Sequence, residues 1–216
     1  TLSSEIKKAF PACTKSHHIL PVGFNKDFLN IEHQEDKKYD VIYSGNFSQW
    51  KGLDILVEAI SIIKHQYNRD IRAVLIGAND QTKQQYEDQA EELKVLDNIE
   101  IVKRVEHKKI YDYISQSKIG VLSNKYDADG LLFTSPLKLY EYLGSGLKVV
   151  VSRLPSIESN IDQSLVYYAT PENPHSFAKE ILNALDDDTF DINKIKEFSK
   201  SYTWESRSKS FMKFIS

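Results

Sequence analysis

The stretch from Thr134 to Ser152, TSPLKLYEYLGSGLKVVVS, sets one glutamate, Glu141, inside a short and mostly apolar helical pattern. Ser135 suits an N-cap and Pro136 a first-turn proline, while Gly144 and Gly146 stop the helix. The N-terminus of such a helix leaves backbone N–H groups around Ser135, Leu137 and Lys138 unpaired, and their aligned dipoles favour an anion such as phosphate. Glu141 lies between one and two turns further in. It reads either as a carboxylate facing a ligand or as an exposed residue paired with Lys138, three positions earlier.

Other residues invite chemistry less strongly. In GNFSQWKG, Gly45 to Gly52, a glycine allows close backbone approach at a strand end, and Lys51 opens a helix from which a cation could reach phosphate. The alternative is that both glycines serve a turn and Lys51 is solvated. This stretch matches neither a P-loop nor the G-x-G-x-x-G dinucleotide fingerprint, which weakens an oxidoreductase reading. Asp127 and Asp129 could bridge a divalent ion to a diphosphate, but in a chain with 31 acidic residues a polar loop is the favoured reading. Cys13, His17 and His18 lack a second cluster to complete a tetrahedral metal site. No G-x-S-x-G elbow is present, and Ser145 lies at the wrong end of its helix for a nucleophile.

The elements that must position these residues alternate along the chain. Short apolar runs at Tyr39 to Gly45, Ile71 to Gly77, Asn98 to Lys103, Lys118 to Ser123 and Leu147 to Ser152 read as strands, with an edge strand at Leu165 to Tyr168. Helical spacing fills the gaps: Leu53 to Ile63, Asp80 to Leu96, His107 to Ser117 and Ser135 to Leu143. Pro174 to Leu185, Ile192 to Ser201 and Trp204 to Ile215 close the chain as helices. This predicts an α/β fold, a Rossmann-like doubly wound parallel sheet of about six strands with helices on both faces and ligands at the carboxyl strand ends.

Composition bounds the rest. The 216 residues, 41% hydrophobic and 27% charged, are those of a globular domain, and a net charge of −3 offers no electrostatic case for nucleic acid. One cysteine permits no internal disulfide and suits a reducing compartment. No apolar run approaches the ~20 residues of a membrane span, and the first residues lack a signal-peptide core.

Taken in order, the glycine-ended first strand with Lys51-Gly52, then VLIGAND, a strand ending near Val105, and SPLKLYEYLGSGLKVVVS resemble the C-terminal donor-binding domain of retaining GT-B glycosyltransferases of the fourth sequence family, group 1 type. HHILPVGFNKDFL, His17 to Leu29, looks like that family's lead-in, a strand ending in Pro-x-Gly with a turn to Phe28. The resemblance covers about Ile19 to Ile161. It implies residues 1–18 as an interdomain remnant, 19–201 as a nucleotide-sugar-binding domain, and 202–216 as a helix packing toward an N-terminal acceptor domain that this chain has no room for. Such a fragment is expected to bind donor without completing transfer.

By the same resemblance, Glu141 is the second glutamate of a Glu-x7-Glu motif and bonds the ribose hydroxyls. Backbone groups from Thr134 through Ser135 and Pro136 to Leu137 hold the diphosphate, with Lys51 as the catalytic cation and Gly45, Asn46 and Gly77 completing the donor site. Arg104 and Val105 line the nucleobase pocket. Two departures stand out: Phe133 replaces the first motif glutamate, which leaves Asp127 or Asp129 as sugar contacts, and Asn46 replaces an expected basic residue. The resemblance further implies retention of configuration, no required cofactor or metal, a UDP- or GDP-sugar donor, and a glycan or lipid-linked acceptor in polysaccharide synthesis. The expected setting is the cytoplasm, with peripheral membrane association open to the full-length protein. The rival reading is a non-catalytic nucleotide-binding or interaction module of the same fold.

Overall fold

A computed structural model describes residues 19–126 and 135–216. Six strands form in the expected places: β1 (Tyr39–Ser44), β2 (Ala73–Ala78), β3 (Ile99–Lys103), β4 (Ser117–Leu122), β5 (Lys148–Ser152) and β6 (Tyr167–Ala169). All pair in parallel, in the order β3-β2-β1-β4-β5-β6. Val41 of β1 faces Ala73 on one side and Ile119 on the other, so β1 and β4 meet where the winding reverses. A crevice opens at such a reversal beyond the carboxyl ends of the strands.

The period-two alternation of the strands explains the two cores. Val41, Tyr43, Leu75, Val121 and Val150 point to one face, covered by α1 (Leu53–Gln66), α2 (Asp80–Glu92) and α6 (Pro174–Asp186). Ile42, Val74, Ile76, Val149 and Val151 point to the other, under α3 (Lys109–Ser115) and α4 (Leu137–Ser145). A short α5 (Pro155–Glu158), α7 (Ile192–Lys200) and α8 (Trp204–Ile215) complete the chain. With both faces buried, the strands need no polar side, and their near-continuous Val and Ile runs follow.

Several expected boundaries differ. Residues 19–23 form no strand: Val22 N–H donates to Ser135 Oγ at 3.1 Å, and Phe24 makes a single parallel bridge to Thr203. Phe24 N–H donates to Tyr202 O and Trp204 N–H to Phe24 O, both at 3.0 Å, which ties the two ends of the domain together. Ser135 is therefore a tertiary anchor rather than the N-cap of α4. Pro136, extended at ψ 112°, takes the cap position and the helix starts at Leu137. Gly144 lies inside α4, where a Cβ would come within 2.4 Å of the Phe24 ring, and Gly146, at φ 86°, ends it. The helix after β2 stops at Glu92, short of Leu96, because Lys94 takes φ 58° before a 3-10 turn at Leu96–Asn98.

At the amino end of the sheet three helices finish, presenting carbonyls and the negative ends of their dipoles. Each meets a basic side chain. Lys37 Nζ donates to Ser115 O at 2.7 Å, His33 Nε2 to Ser145 O at 2.7 Å, and Lys148 Nζ to Ala184 O at 2.9 Å. The opposite, carboxyl end is thereby left for ligand chemistry.

Candidate functional site

A cavity of about 760 Å³ lies over the carboxyl ends of β1, β2 and β3. Its first wall is the turn after β1. Gly45 N–H donates to Ile76 O at 2.9 Å, which draws this turn against β2. The approach is so close that a Cβ on Gly77, at φ 121°, would stand 1.9 Å from Gly45 O, so only glycine fits there. The Tyr43 hydroxyl donates to Asn46 O at 2.7 Å and Ser48 Oγ to Asn46 Oδ1 at 3.0 Å, fixing Asn46 at the rim.

The second wall joins β2 and β3. Arg104 N–H donates to Ala78 O at 3.1 Å, and Asn79 caps α2 through a reciprocal pair with Thr82, its Oδ1 accepting from Thr82 N–H at 2.8 Å while Thr82 Oγ1 accepts from Asn79 N–H at 3.0 Å. Beyond Val105, His107 stands edge-on to Phe28 and Tyr111, with ring centroids 5.6 and 5.9 Å away.

The third wall is the start of α4. Lys138 lines the cavity, and its ammonium donates to Glu141 Oε2 at 2.6 Å. The other carboxylate oxygen stands 3.6 Å from His107 Nε2. Glu141 is 2% exposed, whereas the side chains of Lys138 and His107 are 23% and 55% exposed. The pairing of Glu141 with Lys138 is thus present, but on a buried carboxylate and not on the exposed helix surface that such a pair suggests.

Of the residues expected at the donor site, Gly45, Asn46, Gly77, Arg104 and Val105 line this one cavity. Ser135, Pro136 and Leu137 lead into α4 immediately before Lys138, and Glu141 sits behind Lys138 and His107. Lys51 is elsewhere: it closes a 3-10 turn at Gln49–Lys51, is not among the lining residues, and holds its ammonium 3.6 Å from the centroid of the Trp50 ring. Burial pulls its pKa down to about 8. Thr134, Phe133, Asp127, Asp129 and the trio Cys13, His17 and His18 lie outside the described residues.

The cavity also recruits residues that the sequence reading passed over: Phe47, Ser48, Asn79, Thr82, His107, Ile110 and the side chain of Lys138. Asn79 and Thr82 carried a usable signal, an N-cap spacing directly after a glycine-ended strand. His107 fell in the loop after β3, at a carboxyl strand end, but nothing in the sequence paired it with Glu141. Among the described residues that line the cavity there is no carboxylate, while Arg104, His107 and Lys138 supply basic groups. The positive end of the α4 dipole adds to this field. An anionic ligand matches it.

The sequence profile of the family described as Glycosyl transferases group 1 matches residues 25–202. No curated protein matches the chain by sequence. Among solved structures, sucrose-phosphate synthase from Thermosynechococcus elongatus superposes with TM-score 0.79 at 16% identity, over 100% of this chain and 56% of its own. A glycosyltransferase from Rickettsia africae gives 0.76 at 16% identity, over 99% of this chain and 61% of its own. Anabaena HepE in complex with UDP and glucose gives 0.78 at 13% identity, over 100% and 62%. At these identities the superpositions speak for the fold, and the chain spans between 56% and 62% of the length of those three structures. With its Rossmann-like sheet and a profile match over most of its length, the chain belongs to the group 1 glycosyl transferase family.

Proposed function

We propose that this chain is the donor-binding half of a retaining glycosyltransferase, holding a nucleoside diphosphate sugar for transfer to a glycan or lipid-linked acceptor. The observation that carries this reading is the cavity at the carboxyl ends of β1, β2 and β3, with basic groups, no carboxylate among the described residues that line it, and the N-terminus of α4 at its edge. The base lies against Gly77, Arg104 and Val105, the ribose beside Glu141, and the diphosphate at Leu137 and Lys138 with Lys51 drawn in from its place over Trp50. The uridine nucleotide reported with HepE and with the pneumococcal O-GlcNAc transferase GtfA supports a UDP-sugar here.

In the transfer, the bond from the anomeric carbon to the leaving phosphate oxygen breaks and a bond to the acceptor oxygen forms on the same face. The acceptor proton passes to the leaving phosphate, and the nucleoside diphosphate departs. Negative charge grows on that phosphate, where fixed N–H dipoles and ammonium groups stabilise it most. The acceptor is held by a second domain, met by the exposed Phe211, Met212 and Ile215 of α8. The cytoplasmic face of a membrane is the place for a lipid-linked acceptor, and no described helix is long and apolar enough to cross one.

The test is calorimetric titration of the chain with UDP, GDP, ADP and CDP, beside Glu141→Ala. Selective binding of one nucleotide, weakened in the variant, supports the donor role and identifies the base. A folded chain that binds none of the four removes it. The rival reading, a non-catalytic module, draws on Phe133 in place of a motif glutamate, and turnover by a longer chain carrying the acceptor domain separates the two.

A further inference from the structure

The pair Lys138–Glu141 is placed against the ordinary preferences of a helix. A cation at the second residue of α4 opposes the positive end of the helix dipole, and Lys preceding Glu is the weaker order for such a pair. Burying the Glu141 carboxylate to 2% exposure adds a desolvation cost that the attraction to one lysine offsets only in part. Local stability therefore does not account for this arrangement, and such conflicts gather at functional sites.

We infer that Lys138 is the principal side chain on the diphosphate of the donor, ahead of Lys51, and that Glu141 is its positioning residue. This rests on the donor-site reading above and assigns the group in that site on which phosphate affinity depends most. Three observations converge. The turn after β1 lines the cavity with the uncharged Gly45, Asn46, Phe47 and Ser48, and the Lys51 ammonium lies over Trp50 outside the lining. Lys138 stands at the N-terminus of a nine-residue helix, so its ammonium and its backbone N–H address the same anion. Its hydrogen bond to Glu141 uses one of three donors, leaving two for phosphate oxygens. Glu141 also stands 3.6 Å from His107, on the loop after β3, so one buried carboxylate sets two cavity-lining groups at once. It keeps acceptor capacity for a ribose hydroxyl.

The experiment compares UDP, UMP and uridine by calorimetry on the wild-type chain and on Lys138→Met, Lys138→Arg and Glu141→Gln, with the fold of each checked by circular dichroism. For Lys138→Met the expected result is a loss of about tenfold or more in UDP affinity, the scale of a lost charge-assisted hydrogen bond, with uridine affinity within about twofold of wild type. Lys138→Arg restores UDP binding. Glu141→Gln loses UDP affinity more than uridine affinity, because the amide leaves the ammonium unfixed. UDP affinity unchanged in Lys138→Met, or UDP and uridine falling equally in that variant, overturns the assignment while leaving the donor site standing. A wild-type chain that binds no nucleoside diphosphate overturns the donor site and this assignment together.

Discussion

The Tyr142 hydroxyl stands 2.7 Å from the amide nitrogen of Ser44, accepting its N–H, and 3.0 Å from Ser44 Oγ. This fastens α4 to the last residue of β1. The reach crosses β4 at Gly120, where a Cβ would come within 2.3 Å of the Tyr142 ring. The phenol is thus a direct hydrogen-bonded tie between the helix that carries Lys138 and Glu141 and the strand that ends at the Gly45 turn. Tyr142→Phe leaves a buried N–H without its acceptor, and a loss of about 1–3 kcal/mol in unfolding free energy is expected. Urea titration measures it, and an unchanged midpoint would show that Ser44 finds another partner.

Gly77→Ala tests the wall between β1 and β2. The left-handed φ and the 1.9 Å approach to Gly45 O both exclude a side chain, so the turn must shift outward. We expect a lower melting temperature together with a loss of nucleotide affinity of about tenfold or more, as befits a displaced wall. A variant that melts early yet binds normally would show that the wall does not touch the nucleotide.

Lys51 gives a pH signature. Burial holds its pKa at about 8, so the ammonium is charged below that value and neutral above it. Affinity for a diphosphate that draws on this charge is highest below pH 8 and falls as pH rises through it, while Lys51→Met gives a flatter profile. For stability the sign runs the other way. The unfolded lysine titrates near 10.4, so this group's favourable contribution is full above that pH and lost as pH falls to about 8. Lys51→Met is accordingly expected to raise the melting temperature at pH 7, by about 2–4 °C for each kcal/mol of relieved burial. Equal pH dependence of binding in both proteins would exclude Lys51 from the phosphates.

His33 should register in stability alone. Burial first, then the charges of Lys37 and Lys196, lower its pKa below 6.5, against the opposing hydrogen bonds to Ser145 and Ser115. Its neutral ring donates from Nε2 to Ser145 O and accepts from Lys37 at Nδ1, 2.7 Å away. The folded state thus binds this proton less tightly than the unfolded chain, and the contribution is full above pH 6.5 and lost as pH falls through the lowered value. The wild-type melting temperature should drop between pH 7 and pH 5 by more than that of His33→Gln. Parallel curves would refute the assignment.

The sheet was legible because valine and isoleucine runs between amphipathic stretches have few other readings, and Leu147 to Ser152 or Ile71 to Gly77 are extreme cases. Residues 19–23 misled for the reverse reason: Ile19, Leu20 and Val22 look like a strand, but both sheet edges are already β3 and β6. α5 was missed because four residues around Pro155 carry too little periodicity. At the site, the loops were legible through glycines whose backbone roles are local. The burial of Glu141 was not, since Lys138 three residues earlier gives the same pattern on a solvated face, and His107 arrives from another crossover. Ser135 has every local mark of a helix cap, yet a contact with Val22, distant in sequence, claims its hydroxyl.

The bridge between Phe24 and Thr203 encloses the whole sheet in one loop of chain. During synthesis Phe24 therefore leaves the ribosome long before Tyr202, Thr203 and Trp204, and waits while every strand is made. Closure over so long a span costs little more than over half of it, but it cannot come early. A nascent chain halted at Lys200 would hold all six strands and still leave the Phe24 backbone without its partners. The seam between these two segments therefore forms only once translation has passed the sheet.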